Sequence, residues 1–399
     1  MHVGLISHEY PPGPHGGVGT FTCDLAEGLA SHGHKVTVFV VEMESGTYWS
    51  SSAPRPELRN LRVVPVLLQS PAWMRWRPGA LWVRWKLLQR LKSGHRRERF
   101  DLIECMDNGG LVPFGGFKDV PMIVRLHGAT FLFDYELGSD TSDEFTHWME
   151  KRALAKASFL VGVSNYIARR QLELGGISRS ADDVIHNAVD TDFFSPDPNV
   201  EIQKGLIVFA NSIHPRKGIF ELCRAMNIVS QAYPHARLLM IGKHMTVGKS
   251  GRPLWEDALA EVSPKFRERV TFTGRLTYRS EVLAHMRKAH LCCYPSKLEG
   301  FGIAPVEAMS LGKPTIFSRI GPGPEVIEDG ISGLLCDPDK PEDIAEKIGR
   351  ILSDDALAER LGREARKRAV AQFDKRDWID KNIAFYSSCL DRTRTTKPQ

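Results

Sequence analysis

Short runs of β-branched and aliphatic residues alternate with amphipathic stretches along this chain, and the alternation starts afresh near residue 205. The first series opens with "HVGLIS", passes the glycine-rich "PPGPHGGVG" and the helical "TFTCDLAEGLASHG", and continues through "KVTVFVV", "FDLIEC", "PMIVRLHG" and "SFLVGVS". The second opens with "LIVFANS", the loop "IHPRKG" and the helical "IFELCRAMNIVSQAY", followed by "ARLLMIG", "RVTFTG", "HLCCYP" and "PTIFS". Unbroken apolar strands separated by helices belong to buried parallel sheets. The 399 residues exceed one ordinary hydrophobic core, so two doubly wound α/β domains are predicted. The polar, proline-rich "SPDPNVEIQKG" between the series reads as the linker. The expected division is 1–196 and 197–372, with a terminal helix in 373–399 that packs on the second domain or, the favoured reading, crosses back to the first.

A strand-like run begins at residue 2, where a secretory leader would need a basic segment and an apolar core. No run of about 18 uncharged apolar residues suggests a membrane-spanning helix. Seven scattered cysteines, with no CxxC and no paired Cys/His spacing, suit reduced thiols in a cytoplasmic protein. The net charge of +5 is uneven, because Pro71 to Phe100 holds nine Lys/Arg against the single acid Glu98. Trp73, Trp76, Trp82 and Trp85 lie in the same stretch. Leu81, Trp85, Leu88 and Leu91 follow a helical period with Arg84, Lys86 and Arg90 between them. Such a helix either packs its apolar stripe on its own domain or lies on an anionic membrane through residues 73–92. Nucleic acid is the least favoured partner of this stretch.

Doubly wound sheets bind ligands at the carboxyl ends of their strands. Two familiar phosphate motifs fail there. Gly17-Val18-Gly19 is followed by Thr22 where a dinucleotide fingerprint needs a third glycine, and "GKHMTVGKS" has one residue too many between its glycines for a P-loop. "YPSKLEGFGIAPVEAM" is more informative. It should follow a strand, and Gly300 and Gly302 let the backbone approach a ligand. Pro305 suits the first turn of a helix, which would put Glu307 in that turn and close it at Gly312. Glu307 then either accepts two vicinal hydroxyls or only complements the helix dipole, and Glu299 either binds ligand or is solvated. Composition does not choose between these readings.

"EGFGIAPVE" resembles the EX7E signature of retaining glycosyltransferases of the GT-B fold, and the surrounding chain resembles glycosyltransferase family 4. "SHEYPPGPHGGVGTFTCDLAEGLASHGHKVTVFV", "VIHNAVDTDFF" and "GPGPEVIEDGISGLLCDPDKPEDIAEKI" are similar to that family's opening, pre-linker and C-terminal segments. The resemblance covers nearly the whole chain. It implies two Rossmann-like domains facing an interdomain cleft, an acceptor-binding first domain and a second domain that binds a nucleoside-diphosphate sugar, with UDP favoured over GDP. By that resemblance Glu307 takes ribose hydroxyls and Glu299 takes donor-sugar hydroxyls, while Phe301, Gly302 and Ile303 offer backbone contacts. Lys217 neutralises the diphosphate, Arg216 supplies a second positive charge, Gly16 and Gly17 form the GG loop, and His127 stands beside the donor sugar. The family's frequent arginine is replaced by Ser212, the Pro and Gly of its VIPNGVD segment by His186 and Ala188, and the Asp after its histidine by Gly128.

The implied reaction is metal-free transfer to a hydroxyl acceptor with retained configuration, and no cofactor beyond the sugar nucleotide. "DTD", Asp190 to Asp192, reads as turn chemistry rather than a metal site. His8, His15 and His214 read more readily as loop or capping residues than as ligands, and Glu325 suits the nucleotide side or a helix cap equally well. Two rivals stay open: a GT-B sugar-nucleotide epimerase, and a nucleic-acid-binding protein using the Trp/Arg stretch.

Overall fold

A computed structural model of the chain describes residues 1–13, 16–42, 58–67, 77–117, 119–138, 143–243, 250–276 and 279–395. His15, Trp73, Trp76 and most of "GKHMTVGKS" lie outside these residues. Two units emerge: Met1–His186 together with Arg376–Gln399, and Asn187–Lys375.

The first unit contains strands β1 (His2–Ser7), β2 (Lys35–Glu42), β3 (Leu61–Leu67), β4 (Leu102–Met106), β5 (Met122–Leu126), β6 (Phe159–Gly162) and β7 (Asp183–Val184). They form a seven-stranded sheet in the order β3-β2-β1-β4-β5-β6-β7, parallel at every pairing. Every residue of β1, β4, β5 and β6 is buried, as strands covered on both faces must be. Strand β3 escaped the sequence reading because Pro65 interrupts "LRVVPVL". It sits at the sheet edge, where a missing N–H is tolerated.

The basic segment forms the helix Arg77–Arg97, but its apolar stripe is Gly79, Val83, Leu87 and Leu91 rather than the one expected through Leu81 and Trp85. Val83, Leu87 and Leu91 join the core with Phe39, Phe100 and Met106. Arg84 is turned inward as well. It is 4 % exposed, and its Nε and Nη2 donate to the carbonyls of Gly110 at 3.0 Å and Gly109 at 2.6 Å. It is therefore no part of a membrane-facing charge. Trp85 is 47 % exposed, and Lys86 Nζ lies 4.9 Å from the Trp82 ring centroid and 5.7 Å from that of Trp85. Among the described residues no helix is long and apolar enough to cross a membrane.

The terminal helix Lys375–Thr395 closes the first unit through a buried polar network. Arg125 on β5 is fully buried and donates to Glu104 on β4 at 2.7 and 2.9 Å, and to Asn382 Oδ1 at 2.6 Å. The Tyr386 hydroxyl donates to Glu104 at 2.8 Å.

The second unit holds β8 (Leu206–Ala210), β9 (Arg237–Ile241), β10 (Val270–Phe272), β11 (Leu291–Tyr294), β12 (Thr315–Ser318) and β13 (Leu334–Cys336). Their order is β10-β9-β8-β11-β12-β13, again parallel throughout. The unit begins at Asn187, before the expected boundary at 196, because residues 189–194 are tied into it. Val189 bridges to Asp374, and Phe194 is buried with its carbonyl accepting from Ser310 Oγ at 2.7 Å. Asp190 accepts from the Phe193 N–H at 2.8 Å, so "DTD" does serve a turn.

Candidate active site

In each sheet the strand order reverses between two central strands, β1 and β4 in the first unit and β8 and β11 in the second. The carboxyl edge beside that reversal is where such sheets bind ligands.

In the second unit the chain leaves β8 through His214 and a 3-10 turn, Pro215–Lys217, before the helix Ile219–Ala232. His214 caps the turn, its Nδ1 accepting from the Arg216 N–H at 3.1 Å. The loop after β11 lies directly against it, with the Lys297 N–H donating to the Arg216 carbonyl at 2.8 Å. Gly218 is left-handed, φ +72°, and a Cβ there would fall 1.8 Å from the Pro295 carbonyl oxygen, so only glycine allows this approach.

The approach joins Lys217 to Glu299, Nζ to Oε1, at 2.6 Å. Ser296 Oγ donates to the same oxygen at 2.9 Å, and Arg216 Nη1 stands 3.9 Å from Oε2. Both Lys217 and Glu299 are 7 % exposed. Burial alone would raise the Glu299 carboxyl, but the charges of Lys217 and Arg216 and the hydrogen bonds from Lys217 and Ser296 outweigh it and hold the group below its ordinary value. Glu299 is thus ionised, not a proton donor.

After Glu299 the chain turns at Gly302, φ +102°, and enters the helix Ile303–Ser310. That helix starts earlier than the sequence predicts. Pro305 is its third residue, and Glu307 lies beyond the first turn, so Glu307 is no dipole-complementing cap. The Phe301 side chain is 2 % exposed and packs edge-on against Phe373 at 5.5 Å. Glu307 Oε1 accepts from Arg279 Nη2 at 2.7 Å.

In the first unit Gly17 opens the helix Gly17–Ser31, and Gly16 is its N-cap. Their neighbourhood already holds a carboxylate: Glu9 Oε2 accepts from the N–H groups of Gly16 at 2.7 Å and Gly19 at 3.2 Å. His127 follows β5, its ring 4.6 Å from Phe21. Burial, followed by the charges of Arg125 and His8, pushes its imidazole down to about 3, so it is neutral. Beside it Asp107 follows β4, with Oδ2 accepting from the Gly128 N–H at 3.0 Å and Gln171 Nε2 at 2.8 Å. Burial outweighs these bonds and lifts Asp107 to about 6. Glu150, wholly buried, accepts from the N–H groups of Gly109, Thr130 and Phe131 at 2.8, 3.0 and 3.1 Å and so fixes both loops.

The structure therefore gathers Lys217, Arg216, Glu299, Phe301, Gly302, Ile303 and Glu307 at one sheet edge of the second unit. Gly16, Gly17 and His127 belong to the corresponding edge of the first. Among the described residues no group of three His, Cys, Asp or Glu side chains is placed to hold a metal ion.

Two family models match consecutive halves of the chain: "Glycosyltransferase Family 4" over residues 15–193 and "Glycosyl transferases group 1" over 190–368. The chain is a family 4 glycosyltransferase of the GT-B fold. This glycosyltransferase is 26 % identical to glycogen synthase of Mycobacterium tuberculosis, over 94 % of its length and 91 % of the relative's. Among solved structures, sucrose-phosphate synthase from Thermosynechococcus elongatus superposes with a TM-score of 0.80 at 22 % identity, covering 98 % and 99 % of the two chains. Anabaena Alr3699/HepE, solved in complex with UDP and glucose, gives 0.74 at 19 % identity, covering 96 % and 99 %.

Sequence reasoning passed over four polar residues of the glycosyltransferase. Ser296 carried a signal, standing in the same strand-end loop as Glu299. Asp107 carried a weaker one, as an acid at the end of a predicted strand before Asn-Gly-Gly. Glu9 stands in the same strand-end segment as Gly16, and Arg279 carried no signal, because its partner is set by tertiary approach.

Proposed function

We propose that this glycosyltransferase moves a sugar from a nucleoside-diphosphate sugar, UDP being the favoured nucleotide, to a hydroxyl acceptor with retention of anomeric configuration. The observation that carries this reading is the buried Lys217–Glu299 pair, with Arg216 beside it, at the switch point of the second sheet. Lys217 and Arg216 would stabilise charge on the departing diphosphate, which is electrostatic catalysis and needs no metal. Glu299 would hold donor-sugar hydroxyls, Glu307 the ribose diol, and the backbone of Phe301, Gly302 and Ile303 the sugar. The C1–phosphate oxygen bond breaks, the acceptor oxygen bonds to C1 on the same face, and the acceptor's proton goes to a leaving phosphate oxygen. His127, being neutral, suits hydrogen bonding to the donor sugar rather than proton transfer. Gly16 and Gly17 are assigned to the diphosphate and acceptor, whose phosphate oxygens would compete with Glu9 for the Gly16 N–H.

The complex of Alr3699/HepE with UDP and glucose supports the choice of UDP. Binding of the acceptor is assigned to the first unit. Exposed Trp85 with Lys86 supports a peripheral contact with an anionic membrane, in which Arg84 takes no part. Vesicle binding that survives Lys86→Glu unchanged would remove that contact.

A thermal-shift panel with UDP, GDP, ADP and NAD tests the donor site. A ligand at 100 times its dissociation constant adds about 2.7 kcal/mol, so a rise with UDP alone is expected. No rise with any of them, in a protein that melts cooperatively, would overturn the reading. Activity is expected to persist in excess chelator, and NMR of the product should show the donor's anomeric configuration. Conversion of the sugar nucleotide without any acceptor would instead indicate an epimerase.

A further inference from the structure

Arg279 begins the helix Arg279–Lys288, between β10 and β11. Besides donating to Glu307, its guanidinium lies 4.7 Å from the Phe194 ring centroid and 5.6 Å from that of Phe193. These two rings meet edge to face at 5.1 Å. Phe194 is itself fixed: its side chain is buried, and its carbonyl accepts from Ser310 Oγ at 2.7 Å and Arg366 Nη1 at 3.2 Å. Ser310 lies one turn beyond Glu307 in the same helix, so the aromatic support and the carboxylate are anchored to one element.

A guanidinium resting on an aromatic face keeps its in-plane donors for another partner. Here Nη2 is given to one carboxylate oxygen of Glu307. A carboxylate offers about four lone-pair positions, so accepting from Arg279 does not prevent it accepting from two hydroxyls. Removing the arginine removes one of the contacts that orient the Glu307 side chain.

We propose that Arg279 is a positioning residue for the ribose of the donor nucleotide: it fixes Glu307 in the orientation that receives both vicinal hydroxyls. This rests on the reading of Glu307 as the ribose ligand. Phe193 and Phe194 hold the arginine, and Arg279 thereby sets the preference for ribose over deoxyribose. It acts on the nucleotide only through Glu307.

Calorimetric binding of UDP, 2′-deoxy-UDP and 3′-deoxy-UDP to the full-length protein tests the assignment. Wild type should prefer UDP over each deoxy analogue by roughly tenfold or more, the worth of a hydrogen bond to a charged group. Glu307→Ala should remove the preference. Arg279→Ala should remove most of it while leaving affinity for the deoxy analogues near the wild-type value, and Arg279→Lys should restore part. A merely structural arginine would lower affinity for all three nucleotides alike. Should Arg279→Ala fail to melt cooperatively, Arg279→Gln makes the same comparison. If Glu307→Ala loses the preference and both Arg279 variants keep it in full, the positioning role is overturned and the ribose reading stands. If Glu307→Ala keeps the preference, or wild type binds no UDP, the ribose reading falls and the proposal with it.

Discussion

Lys217 and Glu299, proposed here as donor ligands, also carry a structural role as a buried ion pair. Removing one member of a buried ion pair leaves the other uncompensated, at a cost of about 3 kcal/mol. Lys217→Ala is therefore expected to reduce transfer roughly 100- to 1,000-fold and also to lower the denaturation midpoint. The double variant Lys217→Met with Glu299→Gln should recover most of the stability and none of the activity. Equal stability of wild type and Lys217→Ala would show that Glu299 does not depend on the lysine. The carboxylate's lowered value means that its contribution is present above the ordinary glutamate range and is lost as pH falls through the folded-state value.

Asp107 and His127 give a second prediction at this scale. His127, at about 3 against 6.5 unfolded, favours the unfolded state progressively as pH falls from 6.5 towards 3. Asp107, at about 6 against 3.8 unfolded, does the opposite between 6 and 3.8, where only the folded state binds its proton. Each slope is about 1.4 kcal/mol per pH unit, and in the shared window they cancel. Relative to wild type, Asp107→Asn should lose stability more steeply between pH 6 and 4, and His127→Gln less steeply. Urea midpoints across that range decide it; three parallel profiles would refute the offset.

At the scale of elements, the proposed donor site depends on two loops pressed together at Gly218. Gly218→Ala would force a side chain into a left-handed backbone and into the Pro295 carbonyl. It should cost more than the 1–2 kcal/mol of the backbone conformation alone and lose transfer activity through separation of Lys217 from Glu299. A wild-type melting curve and turnover would refute that. The sequence showed the strands around this site because they are uninterrupted apolar runs, Glu299 and Glu307 because their spacing matches a known signature, and Lys217 because "HPRKG" resembles the same family's KG segment. It misplaced the start of the helix at Pro305, since proline is tolerated anywhere in a first turn, where the N–H has no partner anyway. It set the wrong phase on Arg77–Arg97 because tryptophan and leucine were counted as inward-facing, whereas the buried arginine that holds Gly109 and Gly110 cannot be recognised from charge alone.

For the whole molecule, the two parallel sheets and their alternating helices were legible because each carries its own period. The crossing at His186 was not, since Val189 and Phe194 join the second unit by contacts that precede the polar segment taken as the linker. The proposed donor ligands Arg216, Lys217, Glu299, Phe301, Gly302, Ile303 and Glu307 fall within Asn187–Lys375, while the helix that closes the first unit comes after them. Deletion of residues 376–399 should therefore strip Arg125 of Asn382 and destabilise the first unit, while a UDP-dependent melting shift survives in the second. Loss of that shift would argue against the division. The network of Arg125, Glu104, Asn382 and Tyr386 also predicts fragment complementation. A chain cut between His186 and Asn187 would run as two bands on a denaturing gel, yet elute as one particle, because the larger fragment carries the helix that completes the smaller one.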